Sequence, residues 1–398
     1  KSPKKNGILK KKVDGVVEMN SKYEISTKEN REFLKASCEE LLNFGHRFPS
    51  PNGGSYYLGD DGTPWKDRNR ETWITCRMAH VYSLGLMLGH EGSGELADAA
   101  LKGLKGELHD EKNGGWYAGV TQEGGIVPNK QCYAHAFVIL AASSALTAGR
   151  PGAKELLEEA LAVYDRHFWN EEEGLACDTW NTEFTVLDDY RGLNANMHTV
   201  EAFLAAGDVT GDKKYHIRAG RIIDHVIQWA EDNSWRIPEH FTKEWVADLD
   251  CNRDRPDDPF KPYGATPGHG IEWARLITQW TLANCGEEKE KLEIHLQAAE
   301  NLYTTAIKDG WNADGAPGIV YTTDWNGKPV VHDRMHWTLA EAINTSAVLY
   351  QVTGKEKYAK DYAAFMKYLD EVVMDHENGS WFHQLDEQNH LKGTVWPG

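Results

Sequence analysis

The chain has 398 residues, with 61 acidic against 43 basic side chains and a formal charge of −18. That balance argues against nucleic acid or an anionic membrane surface as a partner, because both would be repelled, and favours a small molecule. No run approaches the roughly 20 apolar residues that a membrane span needs, and the composition is that of a globular enzyme or binding protein rather than a fibrous or disordered chain.

Residues 1–18 carry six Lys and two acidic groups and resemble nothing further on. They read as an added leader or a disordered segment ahead of Met19, leaving 19–398 as one domain. A first amphipathic helix is expected over 27–48. Beyond it, hairpin signals at Gly54-Ser55, Gly115-Trp116, Gly174-Leu175, Ser234-Trp235, Gly318-Ile319 and Ser380-Trp381 recur at intervals of 61, 59, 60, 84 and 62 residues. A near-constant period means one supersecondary unit repeated, since a single helix pair cannot bury its apolar face alone.

Between the signals two kinds of helix alternate. Stretches 136–146, 200–209 and 340–350 are apolar nearly all round and rich in small residues, as expected of helices buried on every side. Leu96, Ala100, Leu101, Leu104 and Leu108, and again Leu157, Ala160, Leu161, Tyr164 and Phe168, recur at helical spacing with charges between them, which predicts outer helices with one wet face. An inner and an outer ring of helices joined by short β-hairpins at one end is an all-α (α/α)6 barrel. The pattern supplies five inner helices, and the last hairpin runs into Val395, Trp396, Pro397 and Gly398, so the sixth inner helix is expected beyond this sequence. The one long interval holds 243–268, rich in Asp, Pro and Arg, and an ordered loop of that length is usually functional; it is expected over the barrel mouth. The cysteines Cys38, Cys76, Cys132, Cys177, Cys251 and Cys285 are scattered without a CxxC pair and read as core thiols in a cytoplasmic protein.

The predicted inner helices begin with polar residues at comparable positions: Trp73, Arg77 and His80; Tyr133 and His135; Asn194, Asn196, His198 and Glu201; His269 and Glu272; His336, Trp337 and Glu341. If the hairpin-to-helix junctions share one end of the barrel, these groups converge on a polar pocket within an apolar ring. Two segments have His-x-x-Glu, which sets both side chains on one helical face. A carboxylate that orients an imidazole makes a general base; a di-metal site and a self-satisfied core pair are the other readings of the same spacing. Recurrence at equivalent positions, with further His and Arg alongside, favours catalysis. Arg77 on an apolar helix needs an acceptor, from a sugar hydroxyl, a ligand anion or a residue such as Glu272. Trp73, Trp325, Trp337 and Trp396 lie near hairpins or helix starts, with Trp396 the best placed to stack on a ligand.

The segments WITCRMAHVYS (73–83), GGWYAGV (114–120), RGLNANMHTVEAFLAAGDVTGD (191–212), GATPGHGIEWARL (264–276) and DGAPGIVYTTDWNGKPV (314–330) resemble the N-acylglucosamine 2-epimerase superfamily, in its aldose-ketose isomerase branch, over about 27–398. The resemblance implies that His269 is a catalytic histidine with Glu272 as its carboxylate. It implies sugar-binding or supporting roles for Arg77, Tyr133, Asn194 and His198, and pocket roles for the aromatics Trp337 and Trp396. The family's second catalytic histidine follows a VWxGKxDxYH-like stretch, of which this sequence contains only VWPG. The implied chemistry needs no metal or cofactor: a histidine takes the C2 proton of an open-chain aldose and a histidine returns one to C1, through a cis-enediolate. His383 stands where sulfosugar-processing members carry Gln, and Lys261 where Arg is common. These departures favour mannose or a related C2 aldose such as lyxose, with sulfoquinovose as the alternative and sugar 2-epimerisation less favoured. A glycoside hydrolase using Glu272 and Glu341, or a sugar sensor, competes on the same fold; a homo-oligomer is compatible with all of these readings.

Overall fold

The computed structural model describes residues 21–284, 286 and 288–392. Eleven α-helices are found among them: α1 (Lys28–Gly45), α2 (Thr72–Met87), α3 (Ser93–Leu104), α4 (Cys132–Thr147), α5 (Ala153–His167), α6 (Leu193–Thr210), α7 (Lys213–Asp232), α8 (Pro267–Asn284), α9 (Lys289–Gly310), α10 (His336–Thr353) and α11 (Glu356–Tyr368). The even-numbered helices form the inner ring and the odd-numbered ones the outer, the (α/α)6 architecture predicted from the repeat. Residues 393–398, and Trp396 with them, lie outside the described residues, as do 1–20 and Cys285.

Composition explains the division. Inner helix α4 (CYAHAFVILAASSALT) buries all but three of its 16 residues, and its alanines and serines let α2 and α6 approach on either flank. Outer helix α5 buries only Ala153, Leu156, Leu157, Ala160, Leu161 and Tyr164, the i, i+3, i+4 stripe seen in the sequence. The outer ring closes on itself: Lys22 Nζ and Tyr23 Oη both donate to Asp370 Oδ2, at 2.8 and 2.6 Å, and Tyr362 Oη donates to Asn30 Oδ1 at 2.9 Å. Thr27 caps α1, its hydroxyl accepting from Asn30 N. On α2, Val81, Leu84 and Met87 are exposed. No helix among the described residues is long and apolar enough to cross a membrane.

A repeated device fixes where the inner helices start. Two residues ahead of α2, α4, α6 and α10 stand Arg70, Lys130, Arg191 and Arg334, all buried. Arg70 pairs with Glu107 at 2.6 Å, Lys130 with Asp110 at 2.9 Å, and Arg334 with Asp314 at 2.7 Å, while Arg191 donates to the carbonyls of Asp188 and Tyr190. Each cation thus ties a neighbouring hairpin or turn to a helix start, with its buried charge matched by acceptors. The unit leading to α8 differs. There Ala265 exchanges backbone hydrogen bonds with Thr323, and Gly264, at φ +89°, leaves no room for a side chain: a Cβ would fall 2.0 Å from the Thr323 carbonyl oxygen. The long segment before α8 is held in place by Trp325 Nε1 donating to Leu249 O at 2.7 Å and by His240 Nε2 on Pro262 O at 2.9 Å.

The cysteine expectation needs correction. Cys76 and Cys132 are core thiols, but Cys38 is exposed and Cys177 and Cys251 are half-buried. Cys38 lies on outer helix α1, whose polar face is open to solvent.

Candidate active site

Each inner helix contributes to one constellation at its N-terminal end. From α2 comes Arg77, whose guanidinium lies over the rings of Trp73 (5.2 Å) and Phe137 (4.8 Å) and donates through Nη2 to Tyr133 Oη at 3.3 Å. Its Nε is buried without a partner. From α4, Tyr133 meets Trp73 edge-on and stands perpendicular to the ring of His198, 5.1 Å away. The sequence-predicted Trp73, Arg77, Tyr133 and His198 are therefore one contiguous cluster. Asn194, a turn before His198 on α6, is half-buried.

On α6 the His-x-x-Glu spacing closes as expected, with His198 Nδ1 3.2 Å from Glu201 Oε2. Burial pushes the His198 imidazole down despite the carboxylate, so it is neutral near pH 7. Burial alone would raise Glu201, but the His198 hydrogen bond and charge, with Arg275 beyond, outweigh it and hold the carboxyl at about 2.

The same spacing on α8 does something else. His269 does not take Glu272 as its partner; its Nδ1 lies 2.9 Å from Oε1 of Glu239, a buried carboxylate on the segment that precedes the long loop. The expected pairing fails because Glu272 is drawn into a charge cluster around Arg275, whose Nη2 lies 3.6 Å from Glu272 Oε1 and 3.8 Å from Glu201 Oε1. Arg275 also grips Glu341 of α10 with both prongs. Burial, then the charges of Glu341 and Glu201, raise the Glu272 carboxyl well above its ordinary value, which favours its protonated form. A neutral carboxylic acid is a hydrogen-bond donor, the role an enediolate oxygen or sugar hydroxyl calls for.

On α10, Trp337 packs its ring 5.1 Å from that of His269 and edge-on to Tyr321. His336, beside it, stands 4.7 Å ring to ring from His383 of the last hairpin. His336 Nδ1 is 3.1 Å from the His383 carbonyl oxygen, and His383 Nε2 is buried without a partner. Burial pushes His336 down to about 4 and His383 to about 3, so both rings are neutral at physiological pH.

Sequence reasoning missed Glu239, Arg275, Tyr57 and Glu71. Tyr57 Oη is buried without a partner, and burial lifts the carboxyl of Glu71, at the head of α2, to about 7. The usable signals were a lone acid within the apolar-aromatic run RIPEHF and a lone Arg within GIEWARL. Three ligand atoms from His198, Glu201 and Glu272 lie within 4.8 Å of one another. Arg275 already pairs both of those carboxylates, so a dication there would have to compete with a resident guanidinium.

Residues 53–398 match the model of the N-acylglucosamine 2-epimerase (GlcNAc 2-epimerase) family. The chain is 41% identical to a D-mannose isomerase of Thermobifida fusca, over 90% of this chain and 87% of that protein. It is 40% identical to the D-mannose isomerase of Pseudomonas cannabina pv. alisalensis, over 93% of this chain and 89% of that one. A crystal structure of D-mannose isomerase superposes with a TM-score of 0.84 at 28% identity, covering 93% of each chain. With this agreement in sequence and in architecture, the chain belongs to the N-acylglucosamine 2-epimerase family.

Proposed function

We propose that this isomerase interconverts mannose, or a related C2 aldose such as lyxose, with its 2-ketose. The observation that carries the reading is a pair of imidazoles, His198 and His269, each with a carboxylate on Nδ1 and each with Nε2 left for a reacting group, with Tyr133 and Trp73 beside the first and Trp337 beside the second. The high identity to D-mannose isomerases over most of the chain supports the substrate.

In the proposed step an imidazole, assigned to His269, takes the C2 proton of the open-chain sugar through Nε2. The C2–H bond breaks, its electron pair forms the C1–C2 double bond, and charge develops on O1. Arg77, with an unpartnered Nε, and the protonated Glu272 offer donors to that charge. An imidazolium then returns a proton to C1 as the O2 hydroxyl passes its own proton to O1, so that C1 ends as the hydroxymethyl carbon and C2 as the ketone. Atoms and charge balance without an external oxidant or reductant. Glu239, hydrogen-bonded to Nδ1, would balance the positive charge of the His269 imidazolium while it lasts.

The hydrolase reading fits less well. An inverting pair needs carboxyls roughly 6.5–9.5 Å apart with a water between, whereas Glu272 and Glu341 share one guanidinium. Incubation with mannose in deuterated water, followed by NMR and mass spectrometry, tests the assignment. Fructose carrying solvent deuterium at C1 is expected. Absence of both fructose and C2 exchange, or release of a smaller sugar from a disaccharide, would replace it.

A further inference from the structure

Glu239 is 30 residues from His269, in an element that sequence spacing does not connect with it, yet it supplies the hydrogen bond to His269 Nδ1. Its surroundings show how firmly it is held. The Glu239 carbonyl oxygen accepts from Leu193 N at 3.1 Å, and the neighbouring His240 pairs with Gly192 in a short antiparallel ladder. His240 is itself fixed at both ring nitrogens, Nδ1 to Tyr190 Oη at 2.8 Å and Nε2 to Pro262 O at 2.9 Å. The backbone bearing Glu239 is thus bonded to the strand that opens α6, the helix of Asn194 and His198, and to the long loop, while its side chain reaches to α8.

The Glu239 side chain is 5% exposed and makes no second hydrogen bond among the described residues. A buried carboxylate with one imidazole as its whole hydrogen-bonding complement is an expensive way to hold a core together. The arrangement makes chemical sense if the imidazole has to carry a positive charge in passing and has to present a defined nitrogen. Trp337, 5.1 Å away, packs against the imidazole and limits its rotation.

We infer that Glu239 is a positioning residue of the isomerisation: it keeps neutral His269 in the Nδ1–H tautomer, aims Nε2 at the sugar, and stabilises the imidazolium formed when the C2 proton is taken. The inference rests on His269 being the base. Logic of this kind, with a carboxylate fixing a tautomer rather than taking the proton, is established for the Asp of serine-protease triads. The titratable groups around the pair are Tyr190 and His240 on the strand side, Tyr321 from the following hairpin and His198 from α6.

The test compares Glu239→Gln, Glu239→Asp and His269→Gln with the full wild-type protein. Gln keeps the size and an acceptor oxygen but loses the charge and can present its NH2 to Nδ1, favouring the wrong tautomer. The expected result for Glu239→Gln is a fall in kcat of about 10²–10⁴-fold, with KM changed by no more than about threefold and the acid limb of kcat/KM moved to lower pH. Glu239→Asp should recover part of kcat. A packing role alone would lower the melting temperature without moving the pH limb. Wild-type kcat and an unmoved limb in Glu239→Gln, with His269→Gln inactive, overturns the positioning role alone; retained C2 exchange in His269→Gln overturns the base assignment instead. If Glu239→Gln does not fold, ¹⁵N NMR of the wild-type histidines decides. A protonated Nδ1 on neutral His269 supports the role, and a protonated Nε2 overturns it.

Discussion

Arg275 and Glu341 form a two-pronged ion pair between adjacent inner helices, Nε to Oε2 at 2.8 Å and Nη2 to Oε1 at 3.2 Å, and Glu201 and Glu272 crowd the same guanidinium. One cation therefore stands among three carboxyl groups: burial and the neighbouring carboxylates raise Glu272 well above its ordinary value, while the His198 hydrogen bond and charge, with Arg275, hold Glu201 low. Arg275→Met should leave the three acids buried together. Breaking a buried pair from one side costs about 3–5 kcal/mol, so urea denaturation should show a loss of that size, with Glu341→Gln in the same chain restoring part of it. A single variant within about 1 kcal/mol of wild type would mean that the pocket is wet enough to solvate the carboxylates.

Acid sensitivity follows from opposed pKa shifts. His135 and His383 are pushed by burial to about 3 and His336 to about 4, so below pH 6.5 the unfolded chain binds protons at these sites that the native one does not, and stability falls with pH. Burial raises Glu71 and Asp178 to about 7, and burial with like charge raises Glu272, so between about pH 7 and the ordinary carboxylate range the native state holds the extra protons and stability rises as pH falls. Burial also lowers His80, His167 and His198 and raises Asp60 and Asp361, so groups of both kinds act over this range and their effects offset one another from about pH 6.5 to 4.5. Below that, the raised carboxyls are protonated in both states, while the histidines persist and Glu201, Asp110 and Asp314, held low by their partners, now add to the loss. Each excess proton on the unfolded chain steepens the fall by about 1.4 kcal/mol per pH unit. Melting temperature should be nearly level between pH 6.5 and 5 and drop abruptly beneath pH 4. A steady decline starting at pH 6.5 would show that Glu71, Asp178 or Glu272 is ionised in the native protein.

The barrel was legible because its signals are local: hairpin glycines at a fixed period, and a small-residue helix alternating with a striped one. The pocket was legible as a set, since Trp73, Arg77, Tyr133 and His198 do meet. Its pairings were not. His198–Glu201 and His269–Glu272 share one spacing, but the first closes and the second opens because Arg275 competes for Glu272 and Glu239 arrives from 30 residues upstream. No helical periodicity reports on a group brought in by a strand. The buried cations Arg70, Lys130 and Arg191 stand 60 and 61 residues apart, with Arg334 two units further on and none ahead of α8, so charge follows the same repeat frame as the hairpin residues.

The charge cluster also sets an expectation for metals. His198, Glu201 and Glu272 lie close enough to share an ion, but Glu201 and Glu272 already face Arg275. Isomerisation should therefore survive prolonged treatment with EDTA at full rate. Loss of activity on chelation, with recovery on adding one divalent ion, would show that the guanidinium yields its place and that the charge stabilisation proposed for the enediolate is wrong.

Substrate choice turns on His383 and His336. A sulfonate at C6 asks for a cation or for firm neutral donors, and these two rings, neutral down to about pH 4, supply no charge. The orphaned Nε2 of His383 offers a single hydrogen bond, which suits a sugar hydroxyl better than a trigonal array of sulfonate oxygens. Lys261, which stands where Arg is common, has its ammonium 3.6 Å from the centre of the Tyr190 ring, engaged with the loop anchor. At equal concentration mannose should therefore turn over faster than sulfoquinovose, and His383→Gln should narrow the gap by raising the sulfosugar rate. Competition assays read by NMR measure both rates in one tube. Faster turnover of sulfoquinovose by the wild-type protein would require Lys261 to leave Tyr190 and reach the sulfonate, and would move the assignment to the sulfosugar.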